Sequence, residues 1–150
     1  MSLSHLLLRR ALLEPQRDAI FDGIRPWASH GQWAARSAGL ARRLQQAGLG
    51  SGDRVVLFMH NQPRYLEVLW GIWWAGLVAV PVNAKLHPAE LEWIVGDAQA
   101  AWAFVSGDLL TQPLAGSIHQ VDIDSAEADA LLAPLDDVRA QPIAQRASDD

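Results

Sequence analysis

The chain contains no cysteine. Disulfide frameworks, thiolate zinc sites, iron–sulfur clusters and a cysteine nucleophile are therefore excluded. Lysine is scarce as well: the twelve basic residues are eleven Arg and Lys85 alone. Acids outnumber bases and the net charge is −5. The chain thus lacks the basic footprint of a nucleic-acid binder, and no nucleic-acid partner is expected. Membrane-length apolar runs are missing too. Val68 to Val82 is uncharged but covers only 15 residues, short of the ~20 that a spanning helix needs. It also holds Gly71, Gly76 and Pro81, so it reads as a buried helix running into a buried strand. Met1 to Leu8 has no basic region ahead of its apolar residues. No signal peptide is expected, and a cytoplasmic protein is.

What the chain does hold suits a folded domain. Half of its 150 residues are hydrophobic and 19% are charged. A domain of this length buries roughly 70% of its unfolded surface and needs no staple. The charge is divided unevenly: residues 1–100 carry a net +2 and residues 101–150 a net −7.

The periodicity alternates between helix and strand. Ser4–Leu13 reads as a short helix stopped by Pro15, and Ala19–Ile24 as a strand with a turn at Asp22-Gly23. Ser29 and Gln32 sit at capping-box spacing and open a long helix. Trp33, Ala34, Ser37, Leu40, Ala41 and Leu44 line its inner face, and Gly48 closes it. Val55–Met59, Val78–Val82 and Trp102–Val105 are continuous apolar runs, the mark of strands buried on both faces. Ser117–Ile123 reads as a fourth. Pro63 and Pro88 open the intervening helices, and Ala126–Leu132 reads as a short last one. The pattern predicts an α/β fold with a mostly parallel sheet and helices on both faces. Residues 1–133 form that unit, and the polar, acidic stretch 134–150 reads as a linker or tail.

Candidate sites are few. Gly48-Leu-Gly-Ser-Gly52 follows a helix and precedes a strand, the reverse of a phosphate loop, so it reads as a cap and turn. The five histidines have no metal-ligand spacing. His60 and Asn61 follow a buried strand directly, where open α/β sheets bind ligands. The structural reading gives Asn61 the capping of the Pro63 helix and leaves His60 as a loop residue. Asp122 and Asp124 share a strand face and read as edge-strand charges rather than metal ligands. No Gly-x-Ser-x-Gly elbow occurs. No residue is assigned a catalytic, cofactor-binding or metal-ligating role.

The ordered segments resemble the N-terminal part of the adenylate-forming ligases, the superfamily that includes acyl-CoA synthetases. They are Ala19-Ile-Phe, Trp33 through Leu44, Gly48-Leu-Gly-Ser-Gly-Asp-Arg-Val-Val, His60-Asn61, Trp74-Ala-Gly-Leu-Val-Ala-Val-Pro-Val-Asn83, Leu86-His-Pro-Ala-Glu-Leu-Glu and Gly96-Asp-Ala. Ala75-Gly76 through Pro81-Val-Asn83 is similar to an early core signature of that superfamily, with Trp74 where Lys is usual. The phrasing is most similar to bacterial medium- or long-chain acyl-CoA synthetases. The resemblance implies a longer parent that uses ATP, Mg²⁺ and coenzyme A on a carboxylic, fatty acid. It also implies that the phosphate-gripping loop, the metal ligand and the catalytic Lys all lie beyond Ala147-Ser-Asp-Asp150. The chain alone is then expected to be inactive, with the remainder of the parent as its partner. The apolar helix from Pro63 to Ala75 is expected to leave exposed apolar surface through which the chain self-associates. Two other readings remain from the residues themselves: a free-standing flavodoxin-like binding module without catalysis, and an interaction domain built on the Trp-rich helix.

Overall fold

The computed structural model describes residues 1–145; the expectation placed on Ala147–Asp150 lies outside them. Helix α1, Leu3–Leu13, starts at Ser2, whose hydroxyl pairs with His5 Nδ1 at 2.8 Å. It turns Ser4, Leu7 and Ala11 inward. A hairpin follows, β1 Asp18–Asp22 and β2 Arg25–Ser29, paired antiparallel with Asp22 opposite Arg25. The two-residue connection Gly23-Ile24 has Gly23 at φ 61°, the left-handed conformation that tight hairpins require. The sequence shows only the first of these strands. Pro26 and the polar ends, Arg25 and Ser29, hide the second from a pattern-based reading.

Helix α2, His30–Gln46, opens on the expected box: Gln32 N–H donates to Ser29 Oγ at 3.2 Å, and Ser29 N–H to Gln32 Oε1 at 2.9 Å. Three helices end in the same way. In α2, in α3 (Pro63–Trp74) and in α4 (Pro88–Asp97) a left-handed residue follows the cap. These residues are Gly48, Gly76 and Gln99. The next amide reaches back to Leu44, Ile72 and Val95 carbonyls, respectively, at 3.0–3.2 Å. This is the Schellman closure that satisfies orphan carbonyls.

The main sheet contains β3 Arg54–Phe58, β4 Val78–Pro81, β5 Trp102–Val105 and β6 His119–Asp122. All pairs are parallel and the order is β4-β3-β5-β6. Both faces are covered, which explains the continuous apolar runs. Val55, Leu57, Phe104 and Val121 enter a core with α1, α2, α3 and the short helix α5, Ala126–Leu131. Val56, Phe58, Ala103 and Val105 enter a second core with Leu91 and Val95 of α4. Gly71 lets α3 lie tight on α2, since a Cβ there would stand 2.7 Å from Leu40 Cδ2.

Residues 134–145 are packed as a strap across α2 and α3. Leu135 N–H donates to Ala35 O, and Trp74 Nε1 to Gln141 O at 2.8 Å. Arg43 Nη1 donates to Leu131 and Ala133 carbonyls, and Arg42 Nη2 to Ala140 O. The composition of the stretch suggests a linker because its bonds are made by its backbone and by the buried Gln141 side chain, which donates to Gln45 Oε1 at 2.8 Å, and these partners have no local sequence signature. The helix α3 is also better covered than its composition implies. Val68, Ile72 and Trp74 are buried and Trp70 stacks edge-on between Trp33 and Trp73. Among the described residues the large apolar side chains that stay exposed are Met1 and those on α1, on the hairpin and at Trp93 of α4.

Candidate functional site

The strand order places a topological switch point at the carboxyl ends of β3 and β5. The crossover through α3 carries the chain to β4 on one side of β3, and the crossover through α4 returns it to β5 on the other. Ligands of open α/β sheets bind at such a point. Here the chain's own polar groups bridge it. Ser106, buried to 1% exposure, donates its N–H to Phe58 O at 3.0 Å. Its Oγ accepts from the His60 N–H at 3.0 Å, and His60 Nε2 meets Asp108 Oδ2 at 2.7 Å. His60 is therefore half-exposed but held, not free in its loop.

An open cleft lies one strand over, between the loops that follow β3 and β4. It measures about 580 Å³ and is lined by His60, Asn61, Tyr65, Asn83 and Lys85 among others. Asn83 Oδ1 accepts from the Lys85 N–H at 2.9 Å and sets the turn that presents the lysine. Burial pushes the Tyr65 phenol above its ordinary value, so it stays a protonated donor at neutral pH. The cleft thus offers an imidazole, two amides, a phenol and one ammonium, groups suited to binding a polar or anionic ligand by hydrogen bonds.

Asn61 is not the helix cap that its position suggests. The N-cap of α3 is Gln62, and no side chain bonds the first-turn amides. Asn61 stands one residue too early for its amide to reach them, and Pro63 at the first position removes one donor that a cap would serve. Asn61 lines the cleft instead. Asp122 and Asp124 stay apart from it at the sheet edge. Asp122 Oδ1 accepts from the Asp124 N–H at 3.0 Å, a local turn. Among the described residues no three His, Asp or Glu side chains gather into a set that could hold a metal, and no helix is long and apolar enough to cross a membrane. The Gly48–Gly52 run joins α2 to β3 at the opposite, amino end of the sheet, with Gly50 N–H bonded to Asp53 Oδ2 at 2.8 Å.

Sequence reasoning missed one buried ionic cluster. Glu67 of α3, 1% exposed, accepts from Arg36 Nη1 of α2 at 2.8 Å and from Trp27 Nε1 of β2 at 2.9 Å. The signal was present: a carboxylate opens an otherwise uncharged helical run and so demands a partner. It ties the hairpin to α2 and to α3, the helix that carries Tyr65 into the cleft.

The fold and the comparisons agree on a class. A sequence model of the family described as AMP-binding enzyme matches residues 7–149. The chain belongs to this family, and its sheet and flanking helices are those of the N-terminal domains of adenylate-forming ligases. Among curated relatives, a feruloyl-CoA synthase of Amycolatopsis is 33% identical over 143 residues, which cover 87% of this chain and 28% of the synthase. A long-chain-fatty-acid–CoA ligase of Salmonella typhimurium is 46% identical over 67 residues, 44% of this chain and 12% of the ligase. The crystal structure of the N-terminal domain of FACL13 from Mycobacterium tuberculosis superposes with a TM-score of 0.81 at 24% identity. It covers 100% of this chain and 40% of that one. The chain spans less than a third of the length of the curated relatives it matches.

Proposed function

We propose that this chain is the N-terminal part of an acid–thiol ligase that makes an acyl-coenzyme A thioester. The observation that carries the reading is the family match over residues 7–149, combined with a span of only 28% of a full-length CoA synthase. In the proposed reaction a carboxylate oxygen attacks the α-phosphorus of ATP and pyrophosphate leaves with the broken P–O bond. The thiol sulfur of coenzyme A then attacks the acyl carbon, and AMP leaves. ATP and Mg²⁺ supply the phosphoryl chemistry. Among the described residues no three acidic or histidine side chains gather, and no glycine loop joins a strand to a helix N-terminus in the manner of a phosphate site. The groups that grip them are proposed to lie in the remainder of the parent, and this chain alone is proposed to be inactive.

Two substrate classes have support. The 46% identity to a long-chain-fatty-acid–CoA ligase favours a fatty acid, and the longer match to a feruloyl-CoA synthase favours an aromatic one. We propose the fatty acid, because the ordered segments taken together most resemble fatty acyl-CoA synthetases and the local identity to the long-chain ligase is the higher of the two. The test is coenzyme A consumption by the full-length protein with octanoate, palmitate, benzoate and ferulate. Turnover confined to ferulate or benzoate overturns the fatty-acid reading and leaves the ligase reading intact. ATP-dependent turnover with none of the four overturns both.

A further inference from the structure

We propose that the outward face of α4 is a docking surface for a basic protein segment that inserts an arginine over Trp93. The most exposed aromatic among the described residues is here: Trp93 is 69% exposed, although tryptophan is highly buried on average. Its neighbours on the same face are exposed and of two kinds. Ala89 and Gly96, at helical spacing on one side, are small; a Cβ added at Gly96 would meet nothing within 4 Å. They form a shallow flank along which a partner backbone can run. Glu92 and Asp97 are exposed beside the indole, Glu90 adds a third carboxylate whose Oε2 accepts from the His87 N–H at 3.1 Å, and the helix itself carries no basic residue, with Arg54 Nε bonded to Ala98 O just past its end.

The face is not covered from within. Leu91 and Val95 turn the opposite side of α4 into the second core. The strap of residues 134–145 lies on the other side of the sheet, against α2 and α3. The charge then selects the occupant. A second copy presenting the same face would set three carboxylates against three. An anionic lipid surface or a nucleic acid would be repelled in the same way. A segment bearing arginine is attracted by the carboxylates, and its planar guanidinium stacks on the indole face. Tryptophan and arginine are also the residues most enriched at interface hot spots.

The test uses the full-length protein labelled with 5-fluorotryptophan, the Trp93 resonance being assigned from Trp93→Phe. The probe is a helical alanine-based peptide carrying arginines along one face, with its glutamate counterpart as control. The proposal expects the Trp93 signal to shift with the arginine peptide alone. It expects Trp93→Ala to weaken binding at least tenfold, and Glu92→Gln with Asp97→Asn to weaken it and flatten its salt dependence. Trp93 and its neighbours are exposed, so these variants keep the fold, and the ligase activity of each is expected to equal that of the parent. Unchanged affinity in Trp93→Ala overturns the proposal. So does a Trp93 signal that neither moves with the peptide nor responds to a soluble paramagnetic quencher, because the parent's own chain would then be the cover. Loss of ligase activity in the unsubstituted protein would count against the proposed function and not against this surface.

Discussion

Replacing Glu67 by alanine removes the one acidic group that holds three elements together. The carboxylate is 2% exposed, whereas the Arg36 side chain keeps 27% of its surface in water. Two hydrogen bonds are lost, from Arg36 Nη1 at 2.8 Å and Trp27 Nε1 at 2.9 Å. A hydrogen bond to a charged group contributes about 1.5–3 kcal/mol. The Trp27 indole is 41% exposed and recovers part of its bond from water, as does Arg36. The sum is therefore set near the lower end, about 3 kcal/mol, within the range for breaking a buried pair. That is a large share of the 5–15 kcal/mol typical of a domain. Glu67→Gln keeps the one oxygen, Oε1, that accepts both bonds but removes the charge, and should cost about half as much. Urea unfolding of the three proteins measures both values, and a double-mutant cycle with Arg36→Ala isolates the pair. A loss below about 1 kcal/mol in Glu67→Ala, or additive effects in the cycle, would refute the idea that this cluster clamps the hairpin to α2 and α3.

Further expectations concern the strap, the caps and the cleft. Gly39→Ala would drive its methyl group into the Ala133 carbonyl and crowd Arg43 Nη1; a loss of about 1–3 kcal/mol by overpacking is expected, together with faster proteolysis within residues 131–145. Gln99→Gly relieves a left-handed non-glycine residue at φ 48° and should stabilise by a few tenths to about 1 kcal/mol in thermal unfolding. Asn61→Ala should change stability by no more than about 0.5 kcal/mol, because Asn61 caps nothing. Tyr65 is the only tyrosine of the chain, so its phenolate absorbance reads its ionisation directly. Burial raises that pKa above 10.0. The native state then holds the proton more tightly than the unfolded one, so stability should fall as pH rises past about 10, and Tyr65→Phe should flatten the fall. A midpoint at or below 10.0 would contradict the burial argument.

Much of the sheet was legible because parallel strands covered on both faces write themselves as uninterrupted apolar runs. Val55–Met59, Val78–Val82 and Trp102–Val105 each fall within one residue of β3, β4 and β5. The capping box at Ser29 and the closure at Gly48 are local in sequence, and each lies where local chemistry puts it. What stayed hidden depends on partners distant in the chain. The strap and the turn that leads into it are held by backbone carbonyls that Arg42 and Arg43 reach, 98 and 88 residues away. The strand β2 is recognisable only by its pairing to β1. The cleft forms where two loops from different crossovers meet, and the His60–Asp108 contact joins residues 48 apart. Asn61 was placed by its distance to Pro63, and a one-residue offset in the cap moved its side chain from the helix to the cleft.

The account turns on the chain being one part of a longer acid–thiol ligase. Acid-dependent exchange of pyrophosphate into ATP tests this most directly, measured on the 150-residue chain and on the full-length protein with the same fatty and aromatic acids. The full-length protein is expected to catalyse exchange, and the chain alone none above a buffer blank. Exchange catalysed by the purified chain, or its absence from the full-length protein with every acid, would contradict this reading.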